Sequence, residues 1–286
     1  MKTPASVVLH RWLLLGFVLL IVAIASADTP RNSDVTLQII QDIIHDITCR
    51  KQEYEESGDA ERPFVTLAFA QSLDGKIALY LDDSCAQTSS NFPISGKESL
   101  LMTHAMRSIH DAILVGGKTL SIDNPRLSNR FWGHVDDSIH QPRPVIVDTH
   151  LRHLESLGDS RRSQNLIVCC SKEAAERHSG DDESDVTLLS LSLDDQGRID
   201  LHSVLIKLRK EFGIQSVLVE GGSAILSTFG ASSIADCLCV TVAPRLLGQR
   251  GVPSISSPVA LNHYLNRPRW FQLGSDCVLL SDWTKS

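Results

Sequence analysis

The sequence predicts an α/β fold built as a three-layer sandwich, with a mainly parallel but mixed sheet covered by helices on both faces. Three observations predict it. Seven short apolar runs, at 64–70, 112–115, 144–147, 165–169, 186–189, 216–219 and 237–243, alternate with amphipathic stretches at 97–108, 172–178, 199–212 and 223–230. That alternation is the order that buries parallel strands on both sides. Two further runs, 270–273 and 277–280, flank Gly274-Ser275-Asp276 and read as a closing hairpin, which makes the sheet mixed. Hydrophobic residues make up 42% of the 286 residues and charged ones 21%, which suits a packed core and excludes a disordered or collagen-like chain.

At the N-terminus, Lys2 and Arg11 precede an apolar run over 13–25 and the small-x-small triplet Ala25-Ser26-Ala27. This is the pattern of a secretory signal peptide. The run is shorter than the ~20 residues that span a bilayer comfortably, so a permanent membrane helix is disfavoured. Residues 1–27 are read as a signal peptide or anchor, with membrane association only if the segment stays uncleaved. The rest carries no Asn-x-Ser/Thr acceptor and no even-numbered cysteine framework. Entry to a plastid through the secretory route reconciles the two.

Over 28–62, Val35, Ile39, Ile40, Ile43, Ile44 and Ile47 recur at helical spacing behind Ser33 or Asp34 as a cap. Glu53, Glu55, Glu56, Asp59 and Glu61 follow, ending at Pro63, and read as a solvated acidic tether. The main domain is then 63–286. In its third helical stretch, Leu201, Val204, Leu205, Leu208 and Phe212 share one face while Lys207, Arg209, Lys210 and Glu211 meet water. Asp181-Asp182-Glu183 and Asp194-Asp195-Gln196-Gly197 read as solvated turns.

Twenty-seven basic against 34 acidic residues give a net charge of −7, which argues against nucleic acid as a partner. A small anion held by a few arginines remains compatible with that balance. The cysteine count is seven, and no spacing among them suits zinc, so no metal is expected. Cys169, Cys237 and Cys239 sit in apolar runs and read as small buried hydrophobes.

In an open α/β sheet the ligand crevice lies beyond the carboxyl ends of the strands. There Val115-Gly116-Gly117-Lys118-Thr119 imitates the end of a P-loop, but Ala112 occupies the first glycine position, inside the strand. A nucleotide hydrolase, with Asp148 holding magnesium, therefore loses its phosphate cradle. Val219-Glu220-Gly221-Gly222-Ser223 runs from strand to helix, where unpartnered amides suit a phosphate. It is not a Gly-x-Gly-x-x-Gly fingerprint. Arg107 and Arg130 add two guanidinium forks for phosphate. Ser72-Leu73-Asp74-Gly75-Lys76 ends the first strand with an acid, a glycine and a lysine, a weak pattern by itself. His104, His110 and His140 lie near these motifs and read as surface or core residues. Without a Gly-x-Ser-x-Gly elbow, acyl transfer is disfavoured.

In this order the stretches resemble the pyrimidine reductases of riboflavin biosynthesis, whose fold is similar to dihydrofolate reductase. The resemblance rests on residues 64–78, Ile94-Ser95-Gly96, Arg107, residues 111–117, Asp123-Asn124-Pro125-Arg126-Leu127, Arg143-Pro144-Val145-Ile146-Val147-Asp148, Val219-Glu220-Gly221-Gly222 and Ala243-Pro244-Arg245-Leu246-Leu247-Gly248. It covers 63–286 without an upstream deaminase domain, and Gln71-Ser72-Leu73-Asp74 and Met102-Thr103-His104 look like the stand-alone fungal-type form. It implies NADPH-dependent reduction of 2,5-diamino-6-ribosylamino-4(3H)-pyrimidinone 5′-phosphate to the ribitylamino product, by a homodimer.

The resemblance also implies site residues. The cofactor is expected along Ala70, Thr119, Asp123, Thr149 and the turn and helix start Gly222, Ser223, Ala224, Ile225, Leu226, Ser227 and Thr228. Substrate is expected at Asn91, Arg107, Leu127, Arg130 and Glu220, with its phosphate near the two arginines. Lys76, Asp123 and Glu220 are the candidates for polarising the opened sugar or relaying a proton. Pro93 stands where the family has a cofactor-side tryptophan. Three rivals keep the fold: a reductase of the deaminated aminouracil, a pterin reductase, which the arginines disfavour, and a non-catalytic nucleotide-binding relic.

Overall fold

The computed structural model describes residues 30–58, 60–80, 93–133, 140–153, 165–178, 186–232, 234–256 and 265–283. The expected signal segment 1–27, Asn91 and the acidic turn at 181–183 lie outside them. Among the described helices none is long and apolar enough to cross a membrane.

Helix α1 (Pro30–Glu56) precedes strand β1 (Phe64–Ser72) and a short β2 (Lys76–Leu79). Then follow α2 (Lys97–Ile109), β3 (Ala112–Gly116), α3 (Gly117–Asp123), β4 (Arg143–Val147), β5 (Leu166–Ser171), α4 (Lys172–Arg177) and β6 (Val186–Leu191). The second half runs α5 (Leu201–Phe212), β7 (Ser216–Gly221), α6 (Ser223–Ala231), β8 (Cys237–Ala243), β9 (Gly251–Pro253), β10 (Asn266–Leu273) and β11 (Asp276–Asp282). A nine-stranded sheet takes the order β10-β11-β8-β1-β7-β3-β4-β5-β6, and β2 pairs separately with β9. From β8 to β6 every neighbouring pair is parallel; the hairpin β10–β11 runs antiparallel.

Side chains alternate between the two faces, as the strand period requires. On one face Val65, Leu67, Leu114 and Val219 pack with Leu201, Val204, Leu205 and Leu208 of α5 and Leu226 and Phe229 of α6. On the other, Phe64, Ala68, Leu218 and Cys239 pack under Ile40, Ile43 and Ile47 of α1 and Met102 and Met106 of α2. Beside them Ile113, Val115 and Ile146 pack under Leu120 of α3 and Ala174 of α4. The expected three-layer arrangement results. Helix ends obey local chemistry: Asp200 caps α5 by accepting from His202 and Ser203 amides, and Gly213 closes it at φ 68°. Asp276, the first residue of β11, accepts from Gly96 N at 2.7 Å and Ser99 Oγ at 2.6 Å, so it fixes where α2 begins.

Each of the seven parallel strands starts and ends within two residues of its sequence expectation. Three elements were not expected: β2, β9 and α3, each too short for periodicity to register. The largest departure is at the N-terminal end. Glu53 and Glu55, expected in a solvated tether, are not part of one. Glu53 and Glu55 belong to the last turns of α1, where Glu55 pairs with Arg209 at 2.9 Å and Glu53 with Arg267 at 2.8 Å. Arg50 is buried against Asp282, and Arg269 pairs with Asp46 at 2.7 Å. Arg62 then grips Asp236 through two bonds, and Asp236 also accepts from Val65 N. Reading acidity as solvation missed arginines more than 150 positions away in the chain, which only the fold brings within reach.

The cysteines behave as expected. Cys169, Cys170, Cys237 and Cys239 are buried in β5 and β8, and burial pushes the Cys239 thiol up to about 12 and Cys170 to about 11. His110, fully buried after α2, donates from Nδ1 to Met106 O and accepts at Nε2 from Thr66 Oγ1 at 2.8 Å. Burial pulls its pKa down from 6.5 to about 4.

Ile43→Ala should lower stability by about 2–5 kcal/mol in urea unfolding, because the cavity it opens lies between α1 and the sheet. A chain begun at Pro63 should lose its cooperative melt altogether. The unfolded imidazole of His110 takes up its proton near 6.5 and the folded one only near 4. Unfolding therefore binds protons between those values, so the melting temperature should fall as pH drops from 6.5 to 4. His110→Gln should flatten that slope.

Candidate active site

Parallel strands place their carboxyl ends on one side of the sheet, and a cavity of about 400 Å³ opens there. Ala68, Phe69 and Ala70 of β1, Glu220 of β7, and Cys239 and Thr241 of β8 form its sheet wall. Met102, Thr103, Met106 and Arg107 of α2 cover it, with Asp123 at the end of α3 and Ile77 and Ala78 of β2 at the sides.

The carboxylate and the guanidinium in this wall bind each other. Arg107 Nε donates to Glu220 Oε1 at 2.7 Å and Nη2 to Oε2 at 2.5 Å, while Nη1 donates to Ser128 O at 3.0 Å. Both side chains are largely buried, 9% and 16% exposed. Burial works against the Arg107 charge, but the attraction and hydrogen bonds of Glu220 overcome it and hold the pKa above its ordinary value. This departs from the expectation of a phosphate fork. Glu220 points from the sheet face that α2 covers, so the fork closes on a carboxylate before any ligand arrives.

Arg130 differs. Its backbone amide donates to His104 Nδ1, and its guanidinium lies 5.3 Å from the Phe131 ring centroid. Burial lowers its pKa, as does repulsion from Arg107 and Arg126. Arg107 and Arg126 thus stand near enough to Arg130 to repel it, and of the three Arg107 lines the cavity.

Beside the cavity, β7 turns into α6 through Gly221 (φ 97°) and Gly222 (φ 89°), conformations that L side chains rarely adopt. A Cβ on Gly222 would collide with Thr119 Oγ1, and one on Gly221 would press into Leu226. The first-turn amides of Ser223, Ala224 and Ile225 have no partner within the helix. A phosphate or pyrophosphate fits this cradle, because the glycines let it approach the backbone closely.

The expected site residues separate by position. Ala70, Arg107, Asp123 and Glu220 line one cavity, and Thr119 and Gly222 meet beside it. Thr149 follows β4, its carbonyl accepting from Ser171 N. Ser223 Oγ donates to Pro253 O and Ala224 is exposed, whereas Ile225 and Leu226 are buried, so only their backbones face a ligand. Ser227 is engaged with Ser256, and Thr228 with Ala224 O. Leu127, at φ 49°, turns its side chain into the core with Leu120 and Ile146. Lys76 lies outside the cavity wall, its stem packed across Gly251. Sequence reasoning missed Thr103, Cys239 and Thr241. Helical spacing of four residues from Arg107, and strand alternation from Cys237, were the signals that could have found them.

The RibD C-terminal domain family profile matches residues 63–279. A 2,5-diamino-6-ribosylamino-4(3H)-pyrimidinone 5′-phosphate reductase of Debaryomyces hansenii is 32% identical over 244 residues, covering 82% of this chain and 94% of that protein. The protein of that name from Saccharomyces cerevisiae is 32% identical over 225 residues, covering 76% and 85%. A solved structure of the Saccharomyces cerevisiae riboflavin biosynthesis reductase aligns with a TM-score of 0.61 at 28% identity, covering 79% of this chain and 92% of that one.

Replacing Arg107 by Ala strands the Glu220 carboxylate in its largely buried position. The expected loss is about 3–5 kcal/mol in equilibrium urea unfolding; an unchanged midpoint would show that the pair does not hold α2 to β7.

Proposed function

Because the chain belongs to the RibD C-terminal domain family, we propose that it is a riboflavin-biosynthesis reductase that uses a nicotinamide cofactor. Its substrate is 2,5-diamino-6-ribosylamino-4(3H)-pyrimidinone 5′-phosphate, whose ribosyl group it reduces to the ribitylamino product. NADPH is the form of cofactor proposed, and the family resemblance carries the expectation of a homodimer. The observation that supports the reading most directly is an ion-paired carboxylate, Glu220, in the wall of a cavity flanked by a glycine elbow and an arginine cluster. A volume of about 400 Å³ suits a pyrimidine with its opened sugar.

When bound, the reduced nicotinamide supplies hydride to the sugar carbon of the ring-opened ribosylamine. The chain's own groups bind and orient. The cradle at Gly221-Gly222 and the start of α6, with Thr119 above it, would hold the cofactor's phosphates. Glu220, its orientation fixed by Arg107, accepts hydrogen bonds from the N–H edge of the pyrimidine. Arg130 takes the sugar phosphate, which relieves the repulsion among Arg107, Arg126 and Arg130. Asp123, at the cavity wall, is the group placed to move a proton to the opened sugar. Lys76, the other candidate for polarising the sugar, stands at the start of β2 next to Ile77 of the wall. Apolar Met102, Met106 and Phe69 exclude water around the reacting carbon.

The full chain, incubated with NADPH and either the diaminopyrimidinone or the deaminated aminouracil, should consume reduced nicotinamide fastest with the former. Oxidation with neither would remove the proposal. Arg130→Ala should weaken substrate by about 1.5–3 kcal/mol, seen as a raised KM, since a charged hydrogen bond to phosphate is lost. An unmoved KM would place the phosphate elsewhere.

A further inference from the structure

Asp74, in the turn Ser72-Leu73-Asp74-Gly75-Lys76, has no part in the scheme above, yet it makes polar contacts to residues 173 and 174 positions away. Asp74 Oδ1 accepts from Ser72 Oγ at 2.6 Å and from Leu247 N at 3.0 Å, and Oδ2 accepts from Gly248 N at 2.8 Å. Ser72 Oγ in turn accepts from Lys76 N at 3.0 Å, the first residue of β2. From the other side, Leu247 and Gly248 lead through a turn of 3₁₀ helix into β9, which pairs with β2 from Lys76 opposite Pro253 to Leu79 opposite Gly251. One carboxylate therefore holds the backbone that leads into each strand of the small sheet. Ile77 and Ala78 of β2 are the side wall of the cavity.

Burial supplies little of the hold at this end. All four residues of β2 are only half-buried, and the flanking Leu73 and Leu246 are 67% and 71% exposed. The Lys76–Pro253 end of the small sheet has further ties: Ser254 N donates to Gly75 O, Ser254 Oγ to Gln71 Oε1, and Ser223 Oγ to Pro253 O at the start of α6. Clamp and cofactor cradle thus meet at the same end of the wall.

We propose that Asp74 is a positioning residue for the reduction, clamping the β1–β2 turn to the 247–248 backbone so that Ile77 and Ala78 hold their place against the substrate. The assignment rests on the reductase reading. Arg107, Asp123 and Glu220 lie on α2, α3 and β7, so loosening the wall leaves them in place. The Ser72 hydroxyl and the two amides hold the Asp74 carboxyl at about 2, so the clamp stays charged at neutral pH.

Asp74→Ala and Asp74→Asn in the full chain test this in two ways. Amide hydrogen exchange, which needs no substrate, should quicken at 76–80 and 251–253 and stay unchanged in β1, β7 and β8. Steady-state kinetics should show the substrate KM raised on the order of tenfold or more, with the NADPH KM and kcat close to those of the parent. Asn, which keeps an acceptor oxygen, should recover part of the Ala defect. Unchanged exchange at 76–80 would overturn the clamp. A fall in kcat with both KM values unmoved would reduce Asp74 to a structural residue. If the Ala variant does not fold, the Asn variant carries the same comparison. If the parent chain turns over neither pyrimidine, the reductase reading fails while the exchange result still decides the clamp.

Discussion

The ion pair between Arg107 and Glu220 joins a helix on one face of the sheet to a central strand, and the crevice takes its shape from that join. Without it, α2 would be held by apolar contacts, the Asp276 cap at its start and the Thr66–His110 bond at its end, and no ion pair would tie it to β7. With it, a carboxylate is held at the carboxyl end of β7 with two of its lone-pair directions already taken. The third donated bond, to Ser128 O, draws the 126–130 loop to the same point and so sets where the remaining arginines stand. One side chain therefore aligns three elements.

That arrangement depends on the sheet being buried on both faces. Strands β1, β7 and β3 have almost no exposed residues, so their carboxyl ends are the places where polar groups can emerge without loss of core. Helix α1 completes the covering of one face, although it lies before the region that the family profile matches. Its docking uses both kinds of force in proportion to burial. Ile40, Ile43 and Ile47 are removed from water entirely, while Glu53 and Glu55 form half-exposed pairs that set register rather than strength.

The strand pattern was legible because apolar runs of strand length alternated with amphipathic helices, and that signal survives without any partner. The crevice was legible in outline too: Gly221-Gly222 needs positive φ whatever surrounds it, and Glu220 and Arg107 stood out as charges beside buried runs. Their roles toward each other were not. A guanidinium reads the same in sequence whether it awaits a phosphate or clasps a carboxylate 113 positions away. The acidic 53–61 stretch misled for the same reason, since acidity in sequence carries no record of distant arginines.

From the sequence alone came the α/β class, the mainly parallel sheet, the closing hairpin and the glycine elbow, since each depends on period, length or backbone conformation within a few residues. Tertiary structure decided which charges pair, which way Leu127 and Lys76 turn, and that a short β2–β9 sheet walls the cavity. Those outcomes depend on distances between residues far apart in the chain, which arise only when the sheet has brought them together.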